Sequence, residues 1–337
     1  MRHTLVKTVI GSRLYGTNTP DSDWDFQSVH WATIEELCSS HVKLDINTST
    51  NTKTRNTKDD VDNKSKELRA FIRDILSGQT YAIDLIHTPR TLILETSSVW
   101  DELLTLKHKL TTNKIQAFVG YCTTMAAKFS DKSEKLIELK AIADQFKKFD
   151  SGKTIQEALE TFDFTEFKYL ERITKVHKAG HSEEYLMMPY ASFPLNRKIS
   201  QTLGPIQMRI GQFGKRSEDA AEAGGVDLKA YYHAMRVAWQ LEDYLTTGEL
   251  VFPSNRVGEL INIRNGKYSR DYIDSWIDAE LDRILKIPND LPDPDFDFWN
   301  GWLNEKYLQY AKSAILDLED SGREIPSISL KPIILPS

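Results

Sequence analysis

One stretch constrains the fold more than any other: Leu5 to Trp31, LVKTVIGSRLYGTNTPDSDWDFQSVHW. The apolar run from Leu5 to Ile10 reads as a strand. Gly11-Ser12 breaks it, a polar connection follows, and a second strand begins with Asp23 and Asp25. Residues two apart on a strand point to the same face, with Cα atoms about 6.6 Å apart. Two carboxylates held side by side repel each other unless a cation sits between them. Mg²⁺ suits such hard oxygen ligands, since it takes one or two carboxylates and leaves its other positions to water and substrate phosphates. Gly11 lets the backbone approach a ligand closely, and the Ser12 hydroxyl and nearby amides can hold a phosphate. The expectation is a phosphate-and-metal site where two strands meet.

Two familiar motifs are excluded. Asp21, Asp23 and Asp25 have the spacing of an opening EF-hand loop, but Phe26 and Ala32 stand where that loop needs Gly and Glu. Gly11 and Gly16 have P-loop spacing, but Thr17 replaces the essential Lys. The remaining pattern, Gly11-Ser12 followed by Asp23-Trp24-Asp25, resembles the nucleotidyltransferase superfamily of DNA polymerase β. The fuller form GSRLYGTNTPDSDWDF is most similar to its RNA repair pathway branch, found in bacteria and phages. KAYYHAMRVAWQLEDYLTTGEL resembles a second family block, and LINIRNGKYS the piece that follows it.

The chain has 337 residues and a net charge of −6, so no global basic footprint marks a nucleic-acid binder. Cys38 and Cys122 form no metal spacing and no disulfide framework, which fits a reducing cytoplasm. The N-terminus has Arg2 and Lys7 but no long apolar core, so no secretory signal is expected, and no apolar run is long enough to span a membrane. The expected class is α+β: a small mixed-sheet nucleotidyltransferase domain over residues 1–97, then a mainly helical domain over 98–337 that completes the nucleotide and acceptor cleft.

Within the first domain, Thr33-Ile34-Glu35-Glu36 reads as a capping box. Val42 to Ile46 reads as a strand and NTSTNTKTRNTKDD as a loop or hairpin tip. Leu68, Phe71, Ile72, Ile75 and Leu76 trace one buried helix face ending at Gly78, and YAIDLI (Tyr81 to Ile86) reads as a strand. Beyond Ser98 the periods are helical, including FTEFKYLERITKVHK, with short strands expected at Glu184 to Met188 and Ile206 to Ile210. SEDAAEAGG reads as an exposed loop. Long helices are expected over Asp227 to Thr246 and Ser269 to Lys286. A Pro/Asp linker, a final helix from Trp302 to Leu318 and a Pro-rich tail follow. His177 and His181 have helical metal spacing but lack an acidic third ligand, and read as surface histidines.

Phosphoryl transfer with two metal ions uses a third carboxylate on a neighbouring strand. Asp84, flanked by Ile83 and Leu85, is preferred because a lone acid on a buried strand needs a cation or partner. Asp62 is the second candidate, although it also reads as a helix-start acid. The resemblance implies NMP transfer from an NTP, aided by two Mg²⁺ (or Mn²⁺) ions, to an RNA acceptor such as a tRNA end. A second reading keeps the fold but makes the chain an antitoxin or regulatory protein that nucleotidylates or docks on a protein partner. Lys229, His233 and Arg236 lie at i, i+4 and i+7 of one helix. Such a stripe could neutralise the triphosphate, with Arg13 as a further phosphate contact.

Overall fold

A computed structural model describes residues 3–39, 41–50, 60–161, 163–176, 182–222 and 227–320. The chain divides into two compact units: residues 1–123 with 232–337, and residues 124–231. The expected boundary near residue 97 is therefore not where the division falls. The reason is packing of the C-terminal helices, whose aromatic faces bury within the first unit. In helix Phe296–Asp320, Tyr307 meets Trp31 edge-on at 4.7 Å, and Tyr310 stacks on the same ring at 4.8 Å. The Trp299 indole donates to the Lys109 carbonyl at 3.0 Å.

The first unit is built on a five-stranded sheet of order β3-β4-β2-β1-β5. Its strands are β1 (Thr4–Val9), β2 (Trp24–His30), β3 (Asp45–Ser49), β4 (Val61–Glu67) and β5 (Ile93–Thr96). β1 pairs antiparallel with β2 and with β5, β3 antiparallel with β4, and β2 with β4 in parallel. The expected strand at Val42 to Ile46 begins later, at Asp45. The Asn/Thr-rich stretch supplies most of β3, and its residues 51–59 lie outside the described set.

β4 corrects one expectation. The run VDNKSKE does not lead into a helix with Asp62 at its start; it is a strand, although Asp, Asn and Lys are poor strand formers. Pairing on both edges, parallel with β2 and antiparallel with β3, outweighs propensity. Helix Leu68–Leu76 follows directly and buries Leu68, Phe71, Ile72, Ile75 and Leu76, as expected. Each such side chain contributes about 1.5–3 kcal/mol on burial. Gly78 ends the helix at φ +73°, where a Cβ would lie 1.7 Å from the Lys114 carbonyl oxygen.

YAIDLI is the second correction: Thr80–Ile86 is a helix, not a strand. Every residue from Ala82 to Ile86 is buried, and a short run buried all round has no period that separates helix from strand. The capping box at Thr33 is present as expected, with both reciprocal hydrogen bonds made. Among the described residues, no helix is long and apolar enough to cross a membrane.

In the second unit, β6 (Glu171–Val176), β7 (Ser182–Met188) and β8 (Ala191–Pro194) form an antiparallel sheet. It covers a core that includes Leu139, Ile142, Phe146, Ile155, Leu186, Ile199 and Ile206. β7 falls where a strand was expected, whereas three expectations are overturned. The helical reading of FTEFKYLERITKVHK gives way to β6. Ile206 to Ile210 belongs to helix Ile199–Ile210, which accommodates Pro205 inside it. Much of SEDAAEAGG lies in helix Lys215–Glu222. His177 and His181 lie outside the described residues, as does the Pro-rich tail. The helices Gln116–Phe146 and Leu228–Thr247 carry the chain between the units.

Candidate active site

The Gly-Ser turn is fastened to the acidic strand. The Ile10 amide donates to the Asp25 carbonyl at 2.9 Å, and Gly11-Ser12-Arg13 form one turn of 3₁₀ helix. Gly11 has φ +66°, a conformation a side chain strains against. A Cβ there would lie 2.2 Å from Asp25 Oδ2, so the missing side chain is the space the Asp25 carboxylate occupies. The Ser12 carbonyl accepts from the Thr17 amide at 2.9 Å, while its hydroxyl makes no hydrogen bond among the described residues.

Arg13 has a task the sequence did not suggest. Its guanidinium donates to the Ser22 carbonyl at 2.9 Å and the Asp23 carbonyl at 3.3 Å, and lies 3.7 Å from the centre of the Trp24 ring. It ties the Gly-Ser turn to the approach of the acidic strand.

Asp25 and Asp62 are direct partners in the parallel β2–β4 ladder. Paired residues of neighbouring strands project to the same face. Asp23, expected on the second strand, lies just before β2 begins at Trp24, so paired strand positions supply two carboxylates and the segment leading into β2 the third. Among the described residues, no group of three His, Cys, Asp or Glu side chains is gathered tightly enough to hold a metal ion as it stands. The donor chemistry nevertheless fits a hard divalent cation, with all-oxygen ligands beside a glycine that leaves them room.

Asp84 is engaged elsewhere. From its helix it accepts the Tyr15 hydroxyl at 2.6 Å and the Gln240 amide at 2.8 Å, and its carboxylate lies 3.6 Å from Arg236 Nη1. Arg236 also donates to Gln240 Oε1 at 2.7 Å, and its guanidinium lies 3.9 Å from the centre of the Tyr15 ring. The side chains of Asp84 and Arg236 are only 7% and 8% exposed. Burial raises the Asp84 pKa above the usual carboxylate value, while Arg236 and the hydrogen bonds from Tyr15 and Gln240 pull it back down. Burial, opposed by Arg236, raises Tyr15 well above its ordinary value, so its hydroxyl keeps its proton and donates.

Arg236 therefore neutralises a buried carboxylate rather than standing free for a phosphate. The Lys229, His233 and Arg236 stripe does not share one environment. Lys229 is exposed in the part of the helix assigned to the second unit, His233 is half-buried, and Arg236 is buried. Residues of this helix in the first unit do touch the segment that follows the Gly-Ser turn. Tyr232 and Thr17 share a hydroxyl–hydroxyl hydrogen bond at 2.8 Å. Arg264, from the helix after it, donates to the Thr17 carbonyl at 2.7 Å. Tyr15, Thr17, Tyr232, Gln240 and Arg264 escaped the sequence reading. Their one signal was position: two fall in the Gly-Ser segment and three in the blocks that resemble the family.

Residues 2–305 match the RNA repair pathway DNA polymerase beta family. The chain belongs to that family. With it comes membership of the DNA polymerase β-type nucleotidyltransferases of RNA repair. The chain is also similar to the uncharacterized 38.9 kDa protein in the nrdC-mobD intergenic region of Enterobacteria phage T4. That similarity is 25% identity over 338 residues, covering 92% of this chain and 98% of the phage protein. No solved structure matches.

Proposed function

We propose that the chain transfers a nucleoside monophosphate from an NTP to the hydroxyl of an RNA end, such as that of a tRNA, in RNA repair. The observation that carries this reading is the register of β2 on β4, which sets Asp62 beside Asp25, whose carboxylate fills the space left by Gly11. In this reading Asp23, Asp25 and Asp62 hold Mg²⁺ or Mn²⁺. The third-carboxylate role expected of Asp84 passes to Asp62. When bound, the metal neutralises phosphate charge and lowers the pKa of the acceptor hydroxyl. The acceptor oxygen attacks the α-phosphorus, the bond to the bridging oxygen breaks, pyrophosphate leaves, and Asp62 accepts the hydroxyl proton. The Ser12 hydroxyl and the turn amides orient the departing phosphates. Asp84 and Arg236 act one step removed, by positioning Tyr15 and so the segment that follows the turn.

The test offers the purified protein each α-labelled NTP in turn, with Mg²⁺ or Mn²⁺ and with tRNA or lysate as acceptor. Label should pass to RNA from a preferred NTP with pyrophosphate released, and Asp25→Asn should abolish it. Label passing only to a protein band would overturn the RNA acceptor, and no transfer under any combination would overturn the reading.

A further inference from the structure

The second unit has a pocket of about 220 Å³, separate from the carboxylate strands in sequence and built wholly from residues of that unit. It is lined by Lys132, Tyr190, Arg209, Gln212, Phe213 and Ser217, with Gly214 between them. Small-ligand sites typically span about 300–1,000 Å³, so the volume suits one part of a ligand, such as a single base, rather than a whole one. Two cations, two aromatic rings, an amide and a hydroxyl line it among the described residues. The protein as a whole is acidic, but this unit is not. Residues 124–231 carry 17 Lys and Arg against 16 Asp and Glu, whereas the remainder carries 26 against 33. The acidic excess lies entirely outside this unit.

The two rings pack edge to face and leave Tyr190 half-exposed. The Tyr190 and Phe213 rings lie 5.5 Å apart at 71°, and Lys135 Nζ lies 5.7 Å from the Tyr190 ring centre. Arg209 donates to Gln212 Oε1 at 3.0 Å, which occupies the amide acceptor and leaves its NH₂ donors for a ligand. Tyr190 is 50% exposed.

A second observation is independent of the lining. Tyr190 has φ +60°, the left-handed region, and is the one such non-glycine residue described. Together with Pro189 it makes the tight turn between β7 and β8, where Met188 pairs with Ala191. Gly or Asn is the easy residue for that position of a turn, and a bulky ring there is strained. Strain of this kind is kept where the side chain serves a purpose that the turn alone does not supply. The strained backbone presents a half-exposed ring to a basic pocket.

We infer that this pocket binds a nucleotide of single-stranded RNA, its base stacked on Tyr190 beside Phe213 and its phosphate held by Arg209. The inference rests on the RNA-acceptor reading above and adds the place where acceptor RNA is gripped. Stacking on aromatic rings with cations along the backbone is the common physical basis of single-strand binding.

The test measures fluorescence anisotropy of a 5′-labelled eight-nucleotide oligoadenylate RNA with the full chain in about 50 mM salt, where phosphate contacts are strongest. Tyr190→Gly removes the ring but suits the backbone, so the variant should fold with unchanged or higher Tm. It should bind the oligomer about five- to a hundredfold more weakly. Arg209→Ala should reduce the slope of log affinity against log salt by about one. Parental binding by Tyr190→Gly would overturn the inference, since a tyrosine that only makes a turn predicts that result. No oligomer binding by the parent protein would overturn it too, leaving the pocket to another class of partner. Displacement by 5′-AMP at the same concentration as unlabelled oligomer would also contradict it, in favour of a free mononucleotide.

The two readings fail separately. RNA binding through Tyr190 without nucleotide transfer would sink the transfer reading and leave the pocket standing. Transfer to RNA by Tyr190→Gly with a parental acceptor KM would do the reverse.

Discussion

Arg236 offers a perturbation whose size follows from burial. Its guanidinium is the cation beside Asp84, at 3.6 Å, with side-chain exposures of 8% and 7%. Exposed ion pairs contribute at most about 1 kcal/mol, because water screens both charges. Removing one partner of a buried pair instead costs about 3–5 kcal/mol, because the other charge is left uncompensated. Arg236→Met keeps most of the side-chain volume while deleting the charge and the hydrogen bond to Gln240. It should therefore lose about 3–5 kcal/mol in urea unfolding at pH 8, a large part of the roughly 5–15 kcal/mol a domain has. Burial already raises the Asp84 pKa and Arg236 opposes it. Without Arg236 the folded-state pKa climbs further, so the penalty should be largest at high pH and shrink as pH falls and Asp84 takes up a proton. Adding Asp84→Asn should recover part of the loss, giving a coupling of about 1–3 kcal/mol rather than two additive effects. A cost below about 1 kcal/mol, strict additivity, or a penalty independent of pH would refute the buried-pair account.

Three further outcomes follow from other sites. Gly11→Ala should abolish nucleotide transfer, since its Cβ would sit 2.2 Å from Asp25 Oδ2 at φ +66°, and rates of the folded variant measured against parent check this. His87 is 5% exposed in its side chain, and burial lowers its pKa; the unfolded chain thus binds the proton more tightly. Stability should fall as pH drops through about 6.5, and urea midpoints at several pH values should show a flatter profile for His87→Gln. Burial pushes the Cys122 thiol up to about 12, so iodoacetamide at pH 8 should label exposed Cys38 and spare Cys122, as peptide mass analysis would show.

The parts legible in the sequence were those with a clear period or a fixed turn. Gly11-Ser12 and Asp23-x-Asp25 gave both strands and their junction, and the apolar stripe from Leu68 to Leu76 gave its helix. What stayed hidden was decided by partners distant in the chain. β4 is polar from Asp62 onward and exists because β2 and β3 flank it, which is why Asp62 read as a helix-start acid. Asp84 read as an acid on a buried strand because Ile83, Asp84 and Leu85 are buried whichever element they form. Its true partners, Tyr15, Arg236 and Gln240, lie 69, 152 and 156 residues away. Ile206 to Ile210 read as a short strand and instead end a helix.

The claim at the centre of the account is that Asp62, paired with Asp25, does the chemistry, while Asp84 holds the scaffold. The decisive measurement is single-turnover nucleotide transfer by Asp62→Asn and Asp84→Asn, each rate normalised to the folded fraction. Asp62→Asn should keep near-parental stability and lose at least about a hundredfold in rate, as when a charge-stabilising group leaves a catalytic site. Asp84→Asn should unfold more easily yet turn over within a few-fold of the parent per folded molecule. A near-parental rate for Asp62→Asn, with loss of transfer by a fully folded Asp84→Asn, would contradict the assignment.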